Sequence, residues 1–174
     1  MNRPRIIPVL LLKGHGLVKS VRFKDHRYIG DPINAARIFN EFQADELILL
    51  DIEASRQQRL ISLELVNEVA EEVTMPFCVG GGIRSIGHIR NIIGSGVEKV
   101  IIGTRAVQSP DFIKQASEEF GSSTIAVCID VKKDLFRKKR VCFFNGRKTT
   151  KIEPVEFAQL MESKGAGELI IQSV

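Results

Sequence analysis

The chain has 174 residues, of which 44% are hydrophobic and 26% charged, and its formal net charge is +4. This composition is that of one ordinary globular domain and excludes a disordered chain or two separate cores. The longest apolar run, residues 6–12, is far shorter than the roughly 20 residues that cross a bilayer, so we expect a cytoplasmic protein with no membrane partner.

The elements alternate along the chain. Short β-branched runs predict strands, and apolar residues at helical spacing between them predict helices. The predicted strands are 6–12, 47–51, 77–79, 100–102, 125–130, 141–144 and 169–172, and the predicted helices are 31–43, 61–72, 85–95, 111–120 and 154–164. Because continuously apolar strands separated by helices are typical of a parallel sheet, the pattern predicts an α/β fold of repeated βα units.

An internal repeat extends this prediction. Asp31-Pro32 and the later Ala44-Asp45-Glu46-Leu47 recur as Glu153-Pro154 and Ala166-Gly167-Glu168-Leu169 at a constant offset of 122 residues. The first and fifth predicted units align at an offset of 119 residues. Four βα units per repeat are half of an eight-unit barrel.

We therefore predict a (β/α)8 TIM barrel of duplicated half-barrels, truncated after about six units. Residues 1–174 would form a single partial barrel domain from which units seven and eight are absent, because a closed barrel typically has about 250 residues. Residues 141–144 would be an extra hairpin strand in the loop after the fifth barrel strand.

The spacing of cysteines and histidines predicts no metal site and no cofactor. Cys78, Cys128 and Cys142 occur singly, and the three histidines have no partner at helical spacing. The basic run at residues 137–140 has few aromatic neighbours, which favours a solvated loop over a nucleic-acid site.

Glycine-rich loops after two predicted strands are candidate phosphate-binding sites. Gly80-Gly81-Gly82 and Gly103-Thr104 each follow a strand and precede a helix, where backbone amides are available to an anion. Two adjacent loops of this kind would form one phosphate pocket. The alternative is that Gly80 to Gly82 form only a tight turn.

Two carboxylates end predicted strands, where reactive groups of a parallel barrel gather. Asp130 ends the fifth strand and is the stronger candidate for a general acid or base. Asp51 ends the second, and for it we weigh an alternative role, in which it caps a helix or pairs with a nearby cation.

The opposite strand ends carry four charges: Arg5, Glu46, Lys99 and Glu168 precede four of the predicted strands. If all four point inward, they form a ring of ion pairs at the barrel floor. Because buried ion pairs stabilise poorly compared with apolar packing, such a ring indicates another purpose, such as a gate.

These residues resemble a known family, the cyclase subunit of imidazole glycerol phosphate synthase in histidine biosynthesis. The resemblance covers residues 3–174 through motifs such as Arg5-Ile6-Ile7-Pro8, Gly30-Asp31-Pro32, Val79-Gly80-Gly81-Gly82-Ile83, Ile129-Asp130-Val131-Lys132 and Gly165-Ala166-Gly167-Glu168.

The resemblance implies a synthase or lyase subunit that receives ammonia from a glutaminase subunit docked at the barrel floor. It maps the ammonia gate onto Arg5, Glu46, Lys99 and Glu168. It maps phosphate binding onto Gly82 and Thr104 and one of two catalytic aspartates onto Asp130. We expect Gly81 and Gly103, from the same two loops, to take part in phosphate binding, although the family usually has asparagine at the position of Gly103, and we expect Lys19 and Asp51 at the substrate mouth. The partners expected are that glutaminase and a phosphorylated or nucleotide-linked small molecule, with no nucleic acid.

One position at which this chain differs from the family bears on the choice between two functions. The family has an aspartate where this chain has Leu11, and Leu11 is the repeat counterpart of Asp130. This resembles a divergent branch that supplies ammonia for an acetamidino sugar of lipopolysaccharide or O-antigen. The alternatives are a true cyclase that forms imidazole glycerol phosphate and AICAR from PRFAR, and a non-catalytic basic scaffold or nucleic-acid binder.

Overall fold

The computed structural model describes residues 3–21, 24–144 and 146–174. The chain divides into two compact units, residues 1–100 and 101–174, which are described separately. That both belong to one barrel domain stays a prediction.

The first unit is a sheet with three helices. Its strands are β1 (Val9–Lys13), β2 (Gly16–Val21), β3 (Lys24–Gly30), β4 (Leu47–Asp51) and β5 (Phe77–Gly80), and its helices are α1 (Pro32–Glu41), α2 (Leu63–Glu72) and α3 (Ile86–Gly94). The strand order is β3-β2-β1-β4-β5, with β1, β4 and β5 parallel and the pairs β1–β2 and β2–β3 antiparallel. Strand β6 (Lys99–Ile102) begins at the end of this unit.

Local chemistry fixes where these helices begin. The Asp31 carboxylate accepts the Asn34 amide at 2.9 Å, and Pro32 occupies the first helical position of α1, where its missing N–H is not needed. The hydroxyls of Ser62 and Ser85 cap α2 and α3 in the same way. Helix α1 therefore starts directly after β3, and α2 and α3 start directly beyond the loops that follow β4 and β5.

The second unit centres on one long strand. It contains α4 (Thr104–Gln108), α5 (Asp111–Phe120), β7 (Ile125–Lys133), β8 (Lys139–Phe143), β9 (Lys148–Thr149), α6 (Pro154–Ser163) and β10 (Glu168–Ser173). Strand β7 pairs antiparallel with β8 and parallel with β10, and β8 continues antiparallel to β9.

Strand register reproduces the sequence repeat in both units. Leu11 lies opposite Leu50 in the parallel pair β1–β4, and Asp130 lies opposite Gln172 in the parallel pair β7–β10. Positions 11 and 130 differ by 119 residues, and positions 50 and 172 by 122, which are the offsets of the repeat. The two pairs are thus built alike, and Leu11 is the structural counterpart of Asp130.

The predicted fold class is confirmed: the chain is α/β, and strands linked through a helix pair in parallel, consistent with a (β/α) barrel. Strand β1 starts at Val9 rather than at residue 6, since Pro8 has no amide hydrogen for the ladder. The hairpin β2–β3 and the short helix α4 are additions to the prediction. Among the described residues, no helix is long and apolar enough to cross a bilayer.

Candidate functional site

A buried carboxylate organises the strand-start end of the first unit. Glu46, only 2% exposed, directly precedes β4. It accepts hydrogen bonds from Arg5 Nη1 at 2.9 Å and from Lys99 Nζ at 3.0 and 3.2 Å. Cys78 Sγ lies 2.6 Å from Glu46 Oε1. Three of the four charges predicted for the floor therefore come together here.

The two cations of this cluster differ in their access to water. Lys99 is the first residue of β6, and its side chain is 15% exposed, whereas the Arg5 side chain is 52% exposed. Because Glu46 and Lys99 lose more hydration on folding than a surface pair does, the cluster stabilises the fold less than apolar side chains would. The fourth predicted charge, Glu168, is the first residue of β10 in the second unit.

The glycine loop after β5 packs closely against the loop after β4. Gly82 has a φ of +70°, and a Cβ there would overlap the Arg59 carbonyl. A Cβ on Gly81 would lie 2.7 Å from Asp51 Cβ, and the Gly81 carbonyl accepts the Ile61 amide at 3.1 Å. Both glycines are therefore required by close backbone approach, as a tight turn would be.

Asp51 is held by its own loop. Its carboxylate accepts the amides of Glu53 at 2.9 Å and Ala54 at 3.0 Å, and Arg59 Nη1 lies 2.5 Å from Oδ2. These contacts match the capping and pairing role weighed for Asp51 as an alternative. Arg59 is a residue that sequence reasoning missed, because no spacing links it to Asp51.

A cavity of about 710 Å³ opens beside Asp51, between β1 and the starts of α1 and α2. It is lined by more acidic than basic side chains; the charged or titratable ones are His15, Asp31, Asp51, Glu53, Arg59, Glu64 and Glu68. Five carboxylates against one guanidinium make this cavity unfavourable for a phosphate.

In the second unit, Asp130 is half-buried within β7. Burial raises its pKa to about 6, and the Cys128 thiol, whose Sγ lies 3.9 Å from Oδ1, opposes the shift. The same sulfur lies 3.9 Å from the side-chain oxygen of Gln172, which the register places opposite Asp130. A carboxyl with this pKa can both donate and accept a proton near neutral pH.

Neither neighbouring thiol is poised to act as a nucleophile. Burial, reinforced by the negative charge of Asp130, raises the pKa of Cys128 to about 12 and that of Cys142 to about 11. Since the thiolate is the reactive form, both cysteines are inert packing groups at neutral pH. The acid–base chemistry available in this part of the second unit therefore rests on Asp130.

The Gly103-Thr104 loop lies next to the same strand. Gly103 precedes α4, and a Cβ built on it would lie 3.6 Å from the Cys128 carbonyl, an ordinary contact. The Phe144 amide donates to Thr104 Oγ1 at 3.4 Å, which leaves the hydroxyl hydrogen available to another acceptor. Gly103 and Thr104 thus lie beside Cys128 and Phe144, in the same unit as Asp130.

Several site predictions stay untested. Gly82 and Thr104 belong to different units, so their joint phosphate pocket remains a prediction, as does the four-charge ring with Glu168. Lys19 is exposed on β2 opposite Arg27, and its place at a substrate mouth also remains a prediction. In the described parts of the chain, no three His, Cys, Asp or Glu side chains group as metal ligands.

Comparison with known proteins gives one consistent result. A family model described as histidine biosynthesis protein matches residues 5–174. A Pseudomonas aeruginosa protein, provisionally named imidazole glycerol phosphate synthase subunit hisF2, is 47% identical over 174 residues, which are all of this chain and 69% of that protein. A Vibrio vulnificus protein provisionally named subunit hisF3 is 45% identical over 175 residues, all of this chain and 67% of that protein. A Leptospira borgpetersenii protein provisionally named subunit HisF is 44% identical over 175 residues, again with full coverage of this chain and 69% of that protein.

Proposed function

The chain belongs to the histidine biosynthesis protein family, and we propose that it is the ammonia-accepting barrel subunit of a glutamine amidotransferase complex. A partner glutaminase docks at the strand-start end and releases ammonia there. The ammonia passes the charged cluster and reacts with a phosphorylated or nucleotide-linked substrate at the opposite strand ends. The product is an amidinated sugar for lipopolysaccharide or O-antigen synthesis.

The observation that carries this proposal is the Arg5–Glu46–Lys99 cluster. Glu46 is buried and contacts both cations and a thiol, at a position where an apolar side chain would pack at lower desolvation cost. Strand starts of a barrel normally contribute stability rather than chemistry. A charged cluster there fits a gate whose ion pairs part to admit a small polar molecule, with Glu168 as its fourth member.

The chemistry at the opposite end supports delivery of ammonia without ring closure. Asp130 keeps a proton-transferring carboxyl, but its counterpart in the repeat is Leu11, which cannot transfer a proton. The glycine loops at Gly81–Gly82 and Gly103–Thr104, together with the cation Lys19 at the mouth, would hold the anionic part of the substrate, whereas Asp51 at the mouth stays paired with Arg59. With one carboxyl to transfer a proton and two loops to hold the substrate anion, this end suits the attack of ammonia on an activated carbon.

The alternative proposal is a true cyclase that forms imidazole glycerol phosphate and AICAR from PRFAR. It is favoured by Asp130 and Thr104, which this chain keeps, and by relatives that are named as synthase subunits. The distinguishing position is Leu11. A basic scaffold or nucleic-acid binder accounts neither for the buried cluster at Glu46 nor for the packing of Gly82.

The experiment changes the gate and follows the fate of ammonia. Lys99→Leu and the matched control Lys114→Leu, an exposed cation on α5, are compared in a reconstituted reaction with the cognate glutaminase. We expect Lys99→Leu to raise the ratio of glutamate released to amidinated sugar formed several-fold, because ammonia leaks at the altered gate. Lys114→Leu should leave the ratio unchanged. If Lys99→Leu lowers only thermal stability and keeps the ratio, the cluster is structural.

A further inference from the structure

The positive charge of this chain is concentrated in one segment. Residues 132–151 contain nine Lys or Arg and one acid, Asp134, a net charge of +8. Since the whole chain carries +4, the remaining residues together carry −4. We call residues 132–151, which comprise the end of β7 with β8 and β9, the basic hairpin.

The cations of the basic hairpin are presented to solvent. All except Arg140 are exposed; they are Lys132, Lys133, Arg137, Lys138, Lys139, Arg147, Lys148 and Lys151. The single acid of the hairpin, Asp134, forms an ion pair within the hairpin, because its Oδ2 lies 3.3 Å from Arg140 Nε. The surface offered to a partner is therefore almost uniformly positive.

Strand register places like charges opposite one another. Lys133 lies opposite Lys139, and Lys132 lies opposite Arg140, in the antiparallel pair β7–β8. Directly opposed like charges destabilise a strand pair. Arg140 is compensated by Asp134 and Glu153, whereas Lys133 and Lys139 take part in no ion pair among the described residues. An anionic surface bound from outside would relieve this repulsion.

The apex of the basic hairpin is apolar. Leu135 is 99% exposed and Phe136 is 84% exposed. Asp134 holds the turn, since its carboxylate accepts the amides of Phe136 at 2.8 Å and Lys138 at 2.9 Å, and its own amide donates to the Lys138 carbonyl. The two apolar side chains are thus displayed outward by a hydrogen-bonded turn and flanked by cations on both strands.

We propose that the basic hairpin is a docking surface for an anionic lipid bilayer. Leu135 and Phe136 enter the interface between headgroups and acyl chains, and the surrounding Lys and Arg side chains bind the lipid headgroups. Apolar insertion combined with a polybasic patch gives two membrane signals on one element, the combination that stable peripheral binding requires.

The apex distinguishes a bilayer from other polyanions. A nucleic acid engages cations and stacks on aromatic rings, but an aliphatic side chain such as Leu135 has no counterpart on a phosphate backbone. A bilayer accepts both side chains without a matching pocket. This proposal is independent of the proposed function, and it differs from two expectations of the sequence analysis, that residues 137–140 form a solvated loop and that the protein has no membrane partner.

The first test is vesicle co-sedimentation of the purified protein. Vesicles of phosphatidylcholine alone are compared with vesicles that contain about one third phosphatidylglycerol. We expect binding to the anionic vesicles only, weakened at least about tenfold at 1 M salt because the headgroup attraction is screened. Equal binding to both vesicle types, or to neither, overturns the proposal.

Matched variants then test each part of the surface. Leu135→Ser/Phe136→Ser should weaken binding to the anionic vesicles about tenfold or more, whereas Phe42→Ser, which changes a phenylalanine that is 79% exposed elsewhere, should not. Lys138→Glu/Lys139→Glu should abolish binding. The control Arg27→Glu/Lys114→Glu changes the net charge equally and should preserve it.

Two outcomes contradict the account. If the serine double variant binds anionic vesicles as the unaltered protein does, the adsorption is non-specific electrostatics and the apex has no role. If a single-stranded RNA competes fully with the vesicles and its own binding is insensitive to Leu135, the surface is a nucleic-acid site. Because neither assay involves glutaminase or sugar, failure here leaves the ammonia proposal standing.

Discussion

Asp130 is the residue whose chemistry is most altered by its environment. Burial raises its pKa to about 6, and the Cys128 thiol lies 3.9 Å from its carboxylate. A folded-state pKa above the unfolded value means that the ionised form is destabilised by folding. The contribution is stabilising below the unfolded pKa and is lost as pH rises through about 6.

Replacing this carboxyl by an amide should therefore stabilise the protein at neutral pH. We expect Asp130→Asn to raise the free energy of unfolding at pH 7.5 by up to about 3 kcal/mol and by less than about 1 kcal/mol at pH 4, where the folded carboxyl is protonated and the unfolded one is about half protonated. Urea denaturation at the two pH values measures this. A gain of the same size at both values, or a loss at pH 7.5, would show that Asp130 ionises without penalty.

Sequence reasoning found Asp130 but not its neighbours. Asp130 was singled out because this acid interrupts an apolar run at the end of the fifth predicted strand. Arg59 and Gln172 carry no such signal, since each becomes a neighbour of an acidic strand end only through a loop fold or a strand register. Single residues are thus predictable where a pattern is interrupted and not where contact depends on the path of a loop.

At the scale of elements, the loop after β5 is the most constrained. Gly82 has a left-handed φ of +70° and is packed against the Arg59 carbonyl. We expect Gly82→Ala to destabilise the fold by at least about 2 kcal/mol, because strain and overlap add. Gly94, at the end of α3, has nothing within 4 Å of a built Cβ. Its change to Ala should be neutral or stabilising by up to about 1 kcal/mol.

Thermal and urea unfolding of the two alanine variants provides the comparison. The contrast between them isolates the close approach of the loops from the general effect of adding a methyl group. Equal stability of both variants would mean that the loop moves away from Arg59 at little cost, and that the tight packing is not a requirement of the fold.

The charged cluster makes a different prediction about stability. Lys99→Met should destabilise by about 2–3 kcal/mol, because Glu46 stays buried with only the half-exposed Arg5 as cation. The double variant Lys99→Met/Glu46→Met should recover most of that loss, since the buried charge is gone and the volume is similar. Chemical denaturation of Lys99→Met, Glu46→Met and the double variant gives the three free-energy differences of a double-mutant cycle. Additive losses would show that the cluster stabilises the fold.

Elements with a long apolar run or stripe were predicted well, and elements with a short one or none were missed. Strand β4 and helix α5 have the predicted bounds because their apolar residues face a core. The hairpin β2–β3 was not predicted because apolar and polar residues do not alternate in β3, which contains Lys24, His26 and Arg27. The repeat itself contained the missing signal, since a hairpin after the fifth barrel strand implied one after the first.

For the whole molecule, the repeat is the strongest argument from sequence to function. The same register in β1–β4 and β7–β10 makes Leu11 and Asp130 equivalent positions of two similar halves. Of these two equivalent positions, one carries an acid and the other a leucine, while Glu46 is paired with Lys99 in the cluster at the strand starts. This combination is the reason why we propose ammonia supply without cyclisation.

The central claim is that this protein passes ammonia on without closing an imidazole ring. Its most direct test is the steady-state turnover of PRFAR by the purified protein, with ammonium salt in excess so that no glutaminase is needed. We predict a rate near background, because loss of one member of an acid–base pair removes about two to four orders of magnitude. A rate comparable to that of an ordinary cyclase of the family would contradict the account and establish the cyclase alternative.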